Sequence, residues 1–182
     1  AVGVTALGAE TGQDICSYPT ADKIELRATI ERSGEAFESW KRTSYTERAA
    51  VLHRVTELLR ANLESDARLM AEEMGKPLAQ GRGEMEKCAW ACEYYAQHAE
   101  RFLEDEPSGT DAARSYVSYR PLGPVLAVMP WNFPFWQVMR FVAPALMAGN
   151  GVFIKHAPNT MGCSVAIADL LVRAGVPEDL VQ

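Results

Sequence analysis

Three polar side chains, Asn132, Arg140 and Lys155, have the types and positions needed to polarise a carbonyl and to bind an anion. An amide N–H₂ such as that of Asn132 can donate to a developing oxyanion, which contributes about 3–4 kcal/mol of transition-state stabilisation. The guanidinium of Arg140 can hold a carboxylate through two parallel hydrogen bonds. Lys155 directly follows an apolar run, and in that position it can bond the hydroxyls of a nucleotide sugar.

Spacing alone leaves a structural interpretation open for each of these residues. Asn132 comes just before a proline that favours the first turn of a helix, so Asn132 could be the N-cap of that helix. Arg140 could be a surface arginine stacked on Trp136. Lys155 could extend to solvent along its aliphatic stem. The neighbouring His156 is interpreted as a loop histidine, because no partner for a general base can be identified.

The residues around this set predict a parallel β-α-β unit. The short apolar runs at 125–129 and 151–154 do not alternate with polar residues, which is typical of strands buried on both faces of a sheet. Between them lies an apolar stripe at helical spacing. The stripe consists of Phe135, Val138, Met139, Val142 and Leu146. Asn132 and Lys155 therefore follow the carboxyl ends of neighbouring strands, where open α/β sheets bind their ligands.

Helical periodicity dominates the chain before residue 107. Four helices are predicted after an irregular or partly extended segment at 1–19. The first spans residues 21–41, and the second spans residues 44–65 and begins with a capping box at Ser44 and Glu47. The third ends at a cap formed by Gly75, and the fourth spans residues 78–104. The segment 107–111 breaks the helical pattern, and residues 115–119 predict a strand with one covered face.

These elements predict an α/β fold in two parts. Residues 1–113 form a helical N-terminal part, and residues 114–182 form a strand plus the first β-α-β-α units of a doubly wound, Rossmann-like parallel sheet. Leu180 and Val181 resemble the start of a further strand. We expect the sheet to be incomplete at the C-terminus, because stable sheets normally have three or more strands.

Composition excludes several functional classes. The 182 residues have a net charge of −6, and the charge is uneven, since residues 1–113 contain 13 basic and 21 acidic side chains. An acidic chain without a basic stripe is a poor nucleic-acid binder. No apolar run is long enough for a membrane span, and we expect a cytoplasmic protein. Cys88 and Cys92 share a helical stripe with Met85, so we interpret them as buried thiols and expect no metal site.

Five ordered motifs together carry a family resemblance. They are Glu73-Met74-Gly75-Lys76-Pro77, Pro121-Leu122-Gly123-Pro124, Pro130-Trp131-Asn132-Phe133-Pro134, the segment 143–150, and Lys155-His156-Ala157-Pro158-Asn159. From about Asp22 onward, the chain resembles the N-terminal cofactor domain of the NAD(P)-dependent aldehyde dehydrogenases. Within that family it is most similar to the succinate-semialdehyde dehydrogenases.

The resemblance implies a role for each residue at the predicted strand ends. Asn132 matches the side-chain donor of the oxyanion hole, and Lys155 matches the lysine that bonds the adenosine ribose. The backbone of Met129, Pro130 and Trp131 matches the lining of the cofactor path. The cofactor would be NAD or NADP, because Pro158 stands where many NAD-using members have a glutamate that rejects a 2′-phosphate.

A second group of residues matches the substrate tunnel of the family. Phe133, Trp136 and Gln137 match positions along that tunnel. Arg140 matches the arginine with which semialdehyde-acid enzymes bind the distal carboxylate. The resemblance therefore implies a small-molecule aldehyde substrate, namely succinate semialdehyde or a similar semialdehyde acid, and a homo-oligomer when the protein is intact.

The resemblance also implies that residues 1–113 are the helical N-terminal part of the cofactor domain and that residues 114–182 begin its NAD(P)-binding sheet. It implies that the catalytic domain is absent, because the family's catalytic cysteine, general-base glutamate and glycine-rich loop would follow Gln182. We therefore expect these 182 residues to be inactive alone. Two alternatives remain open at this point. One is a non-catalytic remnant that binds a nucleotide or a protein partner, and the other is an aldehyde dehydrogenase for uncharged aldehydes in which Arg140 is structural.

Overall fold

The computed structural model describes residues 3–182 and begins with a β-hairpin. Strand β1 (Gly3–Leu7) pairs antiparallel with strand β2 (Asp14–Pro19). The partly extended character predicted for residues 1–19 is confirmed over these two strands, while residues 1 and 2 lie outside the described part of the chain. The pairing itself depends on contacts between the strands that the sequence pattern did not reveal.

Four helices follow the hairpin, as predicted. They are α1 (Lys23–Trp40), α2 (Tyr45–Ala61), α3 (Leu63–Met74) and α4 (Leu78–Phe102). The capping box is confirmed, because the Ser44 hydroxyl accepts from the Glu47 N–H and the Glu47 carboxylate accepts from the Ser44 N–H. Gly75 ends α3 with a φ of 70°, a left-handed conformation that glycine adopts without strain.

A short ribbon connects the helices to the parallel strands. Strand β3 (Glu106–Pro107) pairs antiparallel with β4 (Tyr116–Val117). The strand predicted over residues 115–119 is confirmed for two residues, but its predicted covered face is wrong, because Tyr116 and Val117 are both exposed. The predicted boundary at 113 and 114 lies in the loop of this ribbon, and the division into two parts stays a prediction.

The predicted β-α-β unit is present. It consists of β5 (Val125–Val128), α5 (Trp136–Met147) and β6 (Val152–Lys155), and a short 3₁₀ turn then leads to α6 (Met161–Arg173). Strands β5 and β6 are parallel, with Val128 opposite Lys155. The segment 180–182 continues the sheet on the far side of β6, where the Val152 N–H donates to Leu180 O and Gln182 N–H donates to Val152 O, both at 2.9 Å.

The prediction that the first strand is buried on both faces is wrong. Leu126 and Val128 are 66% and 70% exposed, whereas Ala127 between them is buried. The sheet order runs from β5 through β6 to residues 180–182, so both crossovers advance in the same direction. Two such crossovers with the usual right-handed sense place both of their helices on one face. Within residues 3–182, the other face of β5 is therefore open.

One hydrophobic core joins the helical part to the sheet part. It contains side chains from α2, α3, α4, α5 and α6. Two hydrogen bonds from buried side chains reinforce this contact at the C-terminal end of α5. The Trp40 indole N–H donates to Leu146 O at 3.0 Å, and the Arg48 guanidinium donates to Met147 O at 2.9 Å. The first helices therefore fix the position of α5, the helix that follows Asn132.

The cysteines of α4 and α6 are buried, as predicted for Cys88 and Cys92. Burial raises the pKa of Cys92 to about 12 and also raises the pKa values of Cys88 and Cys163. These thiols stay protonated near neutral pH, and a thiolate is needed both for nucleophilic attack and for metal binding. In the part of the chain that the structure describes, no group of three His, Cys, Asp or Glu side chains could hold a metal ion.

No helix among residues 3–182 is both long enough and apolar enough to cross a lipid bilayer.

Asp66 on α3 is a buried carboxylate whose removal should stabilise the fold. Its Oδ2 has no hydrogen-bond partner among the described residues, and burial raises its pKa to about 6, although Ser65 and Arg173 lower it in part. A carboxyl with a raised pKa in the folded state stabilises the fold at low pH. This stabilisation is lost as the pH rises from the pKa of the unfolded state toward 6. We therefore expect Asp66→Asn to raise the free energy of unfolding by about 2 kcal/mol at pH 8.

Urea denaturation at pH 8 and pH 4 tests this expectation. The stabilisation by Asp66→Asn should shrink to a small fraction at pH 4, where the wild-type carboxyl is protonated in the folded state and only about half ionised in the unfolded state. The matched control is Asp169→Asn, which changes an exposed aspartate on α6 and should alter stability by less than about 1 kcal/mol. A gain of the same size at both pH values would contradict the assignment to the charge of Asp66.

Candidate active site

The turn between β5 and α5 presents Asn132 at the carboxyl end of the sheet. Residues 131–133 are exposed, whereas Pro134 and Phe135 are buried and anchor the turn to the core. Within residues 3–182 the Asn132 amide makes no side-chain hydrogen bond, so its N–H₂ group is available to a ligand. The oxyanion role of Asn132 stays a prediction, and the exposed amide at this strand end is consistent with it.

The alternative in which Asn132 caps the following helix is wrong. Helix α5 begins at Trp136, and the residue at its N-cap position is Phe135. The first N–H groups of the helix are instead satisfied by Glu84 on α4, whose Oε1 accepts from the N–H groups of Phe135 and Trp136, each at 2.9 Å. A carboxylate distant in sequence therefore replaces the local cap that the sequence suggested.

Lys76 holds the other side of the turn. Its ammonium donates to the Asn132 carbonyl at 2.9 Å, forms an ion pair with Glu84 Oε2, and lies 4.0 Å from the centroid of the Phe133 ring. The side chains of Lys76 and Glu84 are only 4% and 1% exposed. This buried pair fixes the main chain on both sides of Phe133, and it leaves the Asn132 amide free because Lys76 binds only the carbonyl of that residue.

Sequence reasoning missed Lys76 and Glu84 as residues that position the turn. Lys76 was identified only as part of the Glu73–Pro77 motif, and Glu84 was not singled out. A signal for Glu84 was nevertheless present, because it lies at helical spacing between Gly81 and Cys88 on the buried face of α4. A carboxylate on a buried helical face needs a charged or hydrogen-bonding partner.

Lys155 lies beside the same turn, at the end of β6. The Met129 N–H donates to the Lys155 carbonyl at 3.0 Å, so the Met129–Trp131 backbone and Lys155 leave the sheet next to each other. The Lys155 side chain is exposed and forms no ion pair with any described residue. The predicted cofactor-binding residues are thus brought together at one edge of the sheet, and their role stays a prediction.

His156 connects the two loops at this edge. It is buried, its Nδ1 accepts from the Ala157 N–H at 2.9 Å, and its Nε2 therefore donates to the Pro134 carbonyl at 3.0 Å. Burial lowers the pKa of His156, so the ring is neutral near pH 7. The interpretation as a histidine within a loop is confirmed. Both ring nitrogens are occupied, and His156 serves to join the loop after β6 to the turn after β5.

Glu73 caps α6 in the way that Glu84 caps α5. Its carboxylate accepts from the Gly162 and Cys163 N–H groups at 2.7 and 2.9 Å. Free N–H groups at a helix N-terminus are a common phosphate site in dinucleotide-binding folds. Here buried carboxylates accept from N–H groups at that position on both crossover helices, so these N–H groups are already satisfied within the protein.

The predicted substrate residues border an open cleft between α4 and α5. The cleft has a volume of about 460 Å³. Its lining residues are Gln80, Gly83, Glu84, Lys87, Phe133, Trp136 and Gln137. The structure thus brings Phe133, Trp136 and Gln137 together, and their role in substrate binding stays a prediction.

Arg140 lies one helical turn beyond Trp136, on the exposed side of α5. It is outside the lining of the cleft itself. The alternative in which Arg140 stacks on Trp136 is not observed among the described residues; the cation over the Trp136 ring is Lys87, whose Nζ lies 4.1 Å from the ring centroid. Arg140 forms no ion pair with another described residue and is available to a ligand.

Several known proteins are similar to this chain in sequence. The sequence profile of the aldehyde dehydrogenase family matches residues 5–182. A protein from Synechocystis described as a probable succinate-semialdehyde dehydrogenase [NADP(+)] is 41% identical over 181 residues, which cover 100% of this chain and 40% of that protein. The succinate semialdehyde dehydrogenase [NAD(P)+] Sad of Escherichia coli is 40% identical over 168 residues, with 92% and 36% coverage.

Solved structures give the same result for the fold. The succinic semialdehyde dehydrogenase of Streptococcus pyogenes in complex with NADP+ superposes with a TM-score of 0.93 at 30% identity, covering 98% of this chain and 39% of that one. The succinate-semialdehyde dehydrogenase of Burkholderia pseudomallei gives a TM-score of 0.93 at 33% identity, with 99% and 38% coverage. The chain spans about 40% of the length of the curated relatives that it matches.

Proposed function

The chain belongs to the aldehyde dehydrogenase family, and from this membership we propose that the complete protein oxidises succinate semialdehyde, or a similar semialdehyde acid, with NAD(P)+. The observation that carries the substrate class is the position of Arg140. This unpaired arginine follows the cleft-lining Trp136 by one turn of α5, while Asn132 lies on the turn that leads into the same helix. One end of the site can bind a carboxylate, and the other can polarise an aldehyde.

Asn132 supplies the polarising group in this proposal. When a nucleophile adds to the aldehyde carbon, the carbonyl oxygen becomes negative and needs a hydrogen-bond donor. The Asn132 N–H₂ has no competing partner among the described residues, and Lys76 holds the carbonyl of the same residue. A donor whose main chain is fixed needs little reorganisation when the charge develops, which is the condition for effective stabilisation.

Lys155 and the Met129–Trp131 backbone would hold the cofactor, which when bound supplies the hydride acceptor. The residues present fit NADP as well as NAD. Lys155 is an exposed cation without a carboxylate partner among the described residues, and the segment 155–160 contains no acidic side chain. A 2′-phosphate on the ribose would therefore meet a positive charge and no opposing carboxylate. Several relatives are named as NADP(+)-dependent enzymes, which supports NADP as a cofactor here.

Three further predictions accompany the proposal. The division at 113 and 114 separates the helical part of the cofactor domain from its sheet. The complete protein is a homo-oligomer, and it is located in the cytoplasm. The uncharged-aldehyde alternative is weaker, because it assigns no ligand to Arg140.

An assay of the protein expressed from the complete reading frame that contains this chain tests the proposal. We expect kcat/KM for succinate semialdehyde to exceed that for butanal, an uncharged aldehyde of equal carbon number, by about tenfold or more, as one charge-assisted interaction allows. Reduction of NADP+ and NAD+ is followed at 340 nm. Equal kcat/KM values for the two aldehydes would favour the alternative in which Arg140 is structural.

A further inference from the structure

Lys87 is a cation in the substrate cleft to which the proposed function gives no role. It lies on α4, on the wall opposite α5, and its Nζ is 4.1 Å from the centroid of the Trp136 ring. A lysine held over an aromatic face is attracted by the ring quadrupole. Lys87 therefore presents an ammonium group to the same space that Phe133 and Gln137 border.

The positive charge of Lys87 is not neutralised by a neighbouring carboxylate. The acidic residue one turn before it is Glu84, whose oxygens are occupied by Lys76 and by the first N–H groups of α5. The adjacent Glu86 is paired with Arg60, with 3.6 Å between Glu86 Oε2 and Arg60 Nε. Among residues 3–182 Lys87 forms no ion pair. An uncompensated cation in a cleft with partly apolar walls raises the local concentration of anions.

Arg140 lies near the same tryptophan, on α5, whereas Lys87 is on α4. Residues four apart on a helix have Cβ atoms about 5–6 Å apart, so Arg140 and Trp136 are surface neighbours on α5. Trp136 thus contacts Lys87 of α4 and neighbours Arg140 of α5. One cation, Lys87, lies over the Trp136 ring, and the other, Arg140, is exposed one turn further along α5; neither has an acidic partner among the described residues.

We propose that Lys87 is a specificity-determining residue that binds the substrate carboxylate together with Arg140. This inference rests on the proposed function. A carboxylate has two oxygens and about four acceptor positions, so it can accept from a guanidinium and an ammonium at once. The guanidinium fixes the orientation of the carboxylate, and the ammonium adds a compact charge that tolerates several chain lengths. Selectivity for acidic aldehydes is therefore divided between α4 and α5.

The test uses Lys87→Met in the protein from the complete reading frame, with succinate semialdehyde and butanal as substrates. We expect kcat/KM for succinate semialdehyde to fall about five- to tenfold, mainly through KM, while kcat/KM for butanal stays unchanged. Lys87→Arg should restore most of the preference, because it returns the charge. The matched control is Arg82→Met, which removes a cation from an exposed position on α4 outside the cleft and should leave both substrates unaffected.

Three other results would overturn the role of Lys87, and one of them would also overturn the proposed function. An equal loss for both substrates in Lys87→Met would show that Lys87 only supports Trp136 and would overturn the inference. An unchanged substrate ratio in that variant, with a wild-type preference for succinate semialdehyde, would also overturn the inference and leave the proposed function intact. A wild-type enzyme without any preference would overturn the proposed function itself, and this inference with it.

Discussion

Replacing Asn132 by alanine is expected to lower kcat for succinate semialdehyde by about 10²- to 10³-fold with little change in KM. The reason is that the Asn132 amide donates to an oxygen that becomes fully charged only in the transition state. The backbone of the turn should survive the substitution, because Lys76 binds the Asn132 carbonyl and Glu84 caps α5. Steady-state kinetics of the variant measure the effect.

Asn132→Asp is the matched variant for this experiment. It keeps the size of the side chain and replaces its N–H₂ donor by an acceptor, so it should be at least as slow as the alanine variant. The denaturation midpoints of both variants should stay close to the wild-type value. A kcat that is unaltered in Asn132→Ala would remove Asn132 from the chemistry.

Breaking the Lys76–Glu84 pair should give the largest loss of stability. We expect Lys76→Met and Glu84→Gln each to lower the free energy of unfolding by about 3–5 kcal/mol, because either change leaves a buried group without its partner. Glu84→Gln also weakens the cap on α5, since a neutral amide oxygen is a poorer acceptor for the two N–H groups that it must satisfy. Urea denaturation at neutral pH measures both losses.

The exposed pair of Glu64 and Arg82 provides the control. Its geometry is good, with an N–O distance of 2.6 Å, but both side chains are about half exposed. Glu64→Gln should therefore cost less than about 1 kcal/mol. The double variant Lys76→Met with Glu84→Gln should cost less than the sum of the two single changes, because the groups interact directly. Losses of similar size for the buried and the exposed pair would contradict this account of the turn.

Features set by neighbouring residues could be predicted from the sequence. The capping box at Ser44 and Glu47 needs only four residues, and the cap at Gly75 needs only a glycine after an apolar helical stripe. The stripe of α5 was also predicted correctly, because its five apolar residues share one helical face and all are buried. In each case the determining interactions lie within a few turns of the chain.

Features set by distant residues could not be predicted in this way. The cap of α5 comes from Glu84, which is separated from Phe135 by 51 positions. A proline near the start of a helix and an asparagine before it therefore gave a plausible local cap that the fold does not use. The open face of β5 is a similar case, because an apolar strand has the same sequence pattern whether one or both of its faces are covered.

The candidate site contains features that could be predicted from the sequence and features that could not. The β-α-β pattern was sufficient to place Asn132 and Lys155 at neighbouring strand ends, because the ends of parallel strands meet at one edge. It did not reveal that His156 joins these two loops through the Pro134 carbonyl. Nor did it indicate that Lys87 of a separate helix lies over Trp136. Both contacts depend on how α4 and the loops pack, which the periodicity of single segments does not determine.

The most direct test of the account is the effect of Arg140→Ala on substrate preference. The quantity to measure is the ratio of kcat/KM for succinate semialdehyde to kcat/KM for butanal, in the protein from the complete reading frame. We predict that Arg140→Ala lowers this ratio by about 10- to 100-fold, because charge-assisted hydrogen bonds to the carboxylate are lost while butanal has none to lose. A ratio that is the same in wild type and variant would contradict the assignment of Arg140 and the substrate class that depends on it.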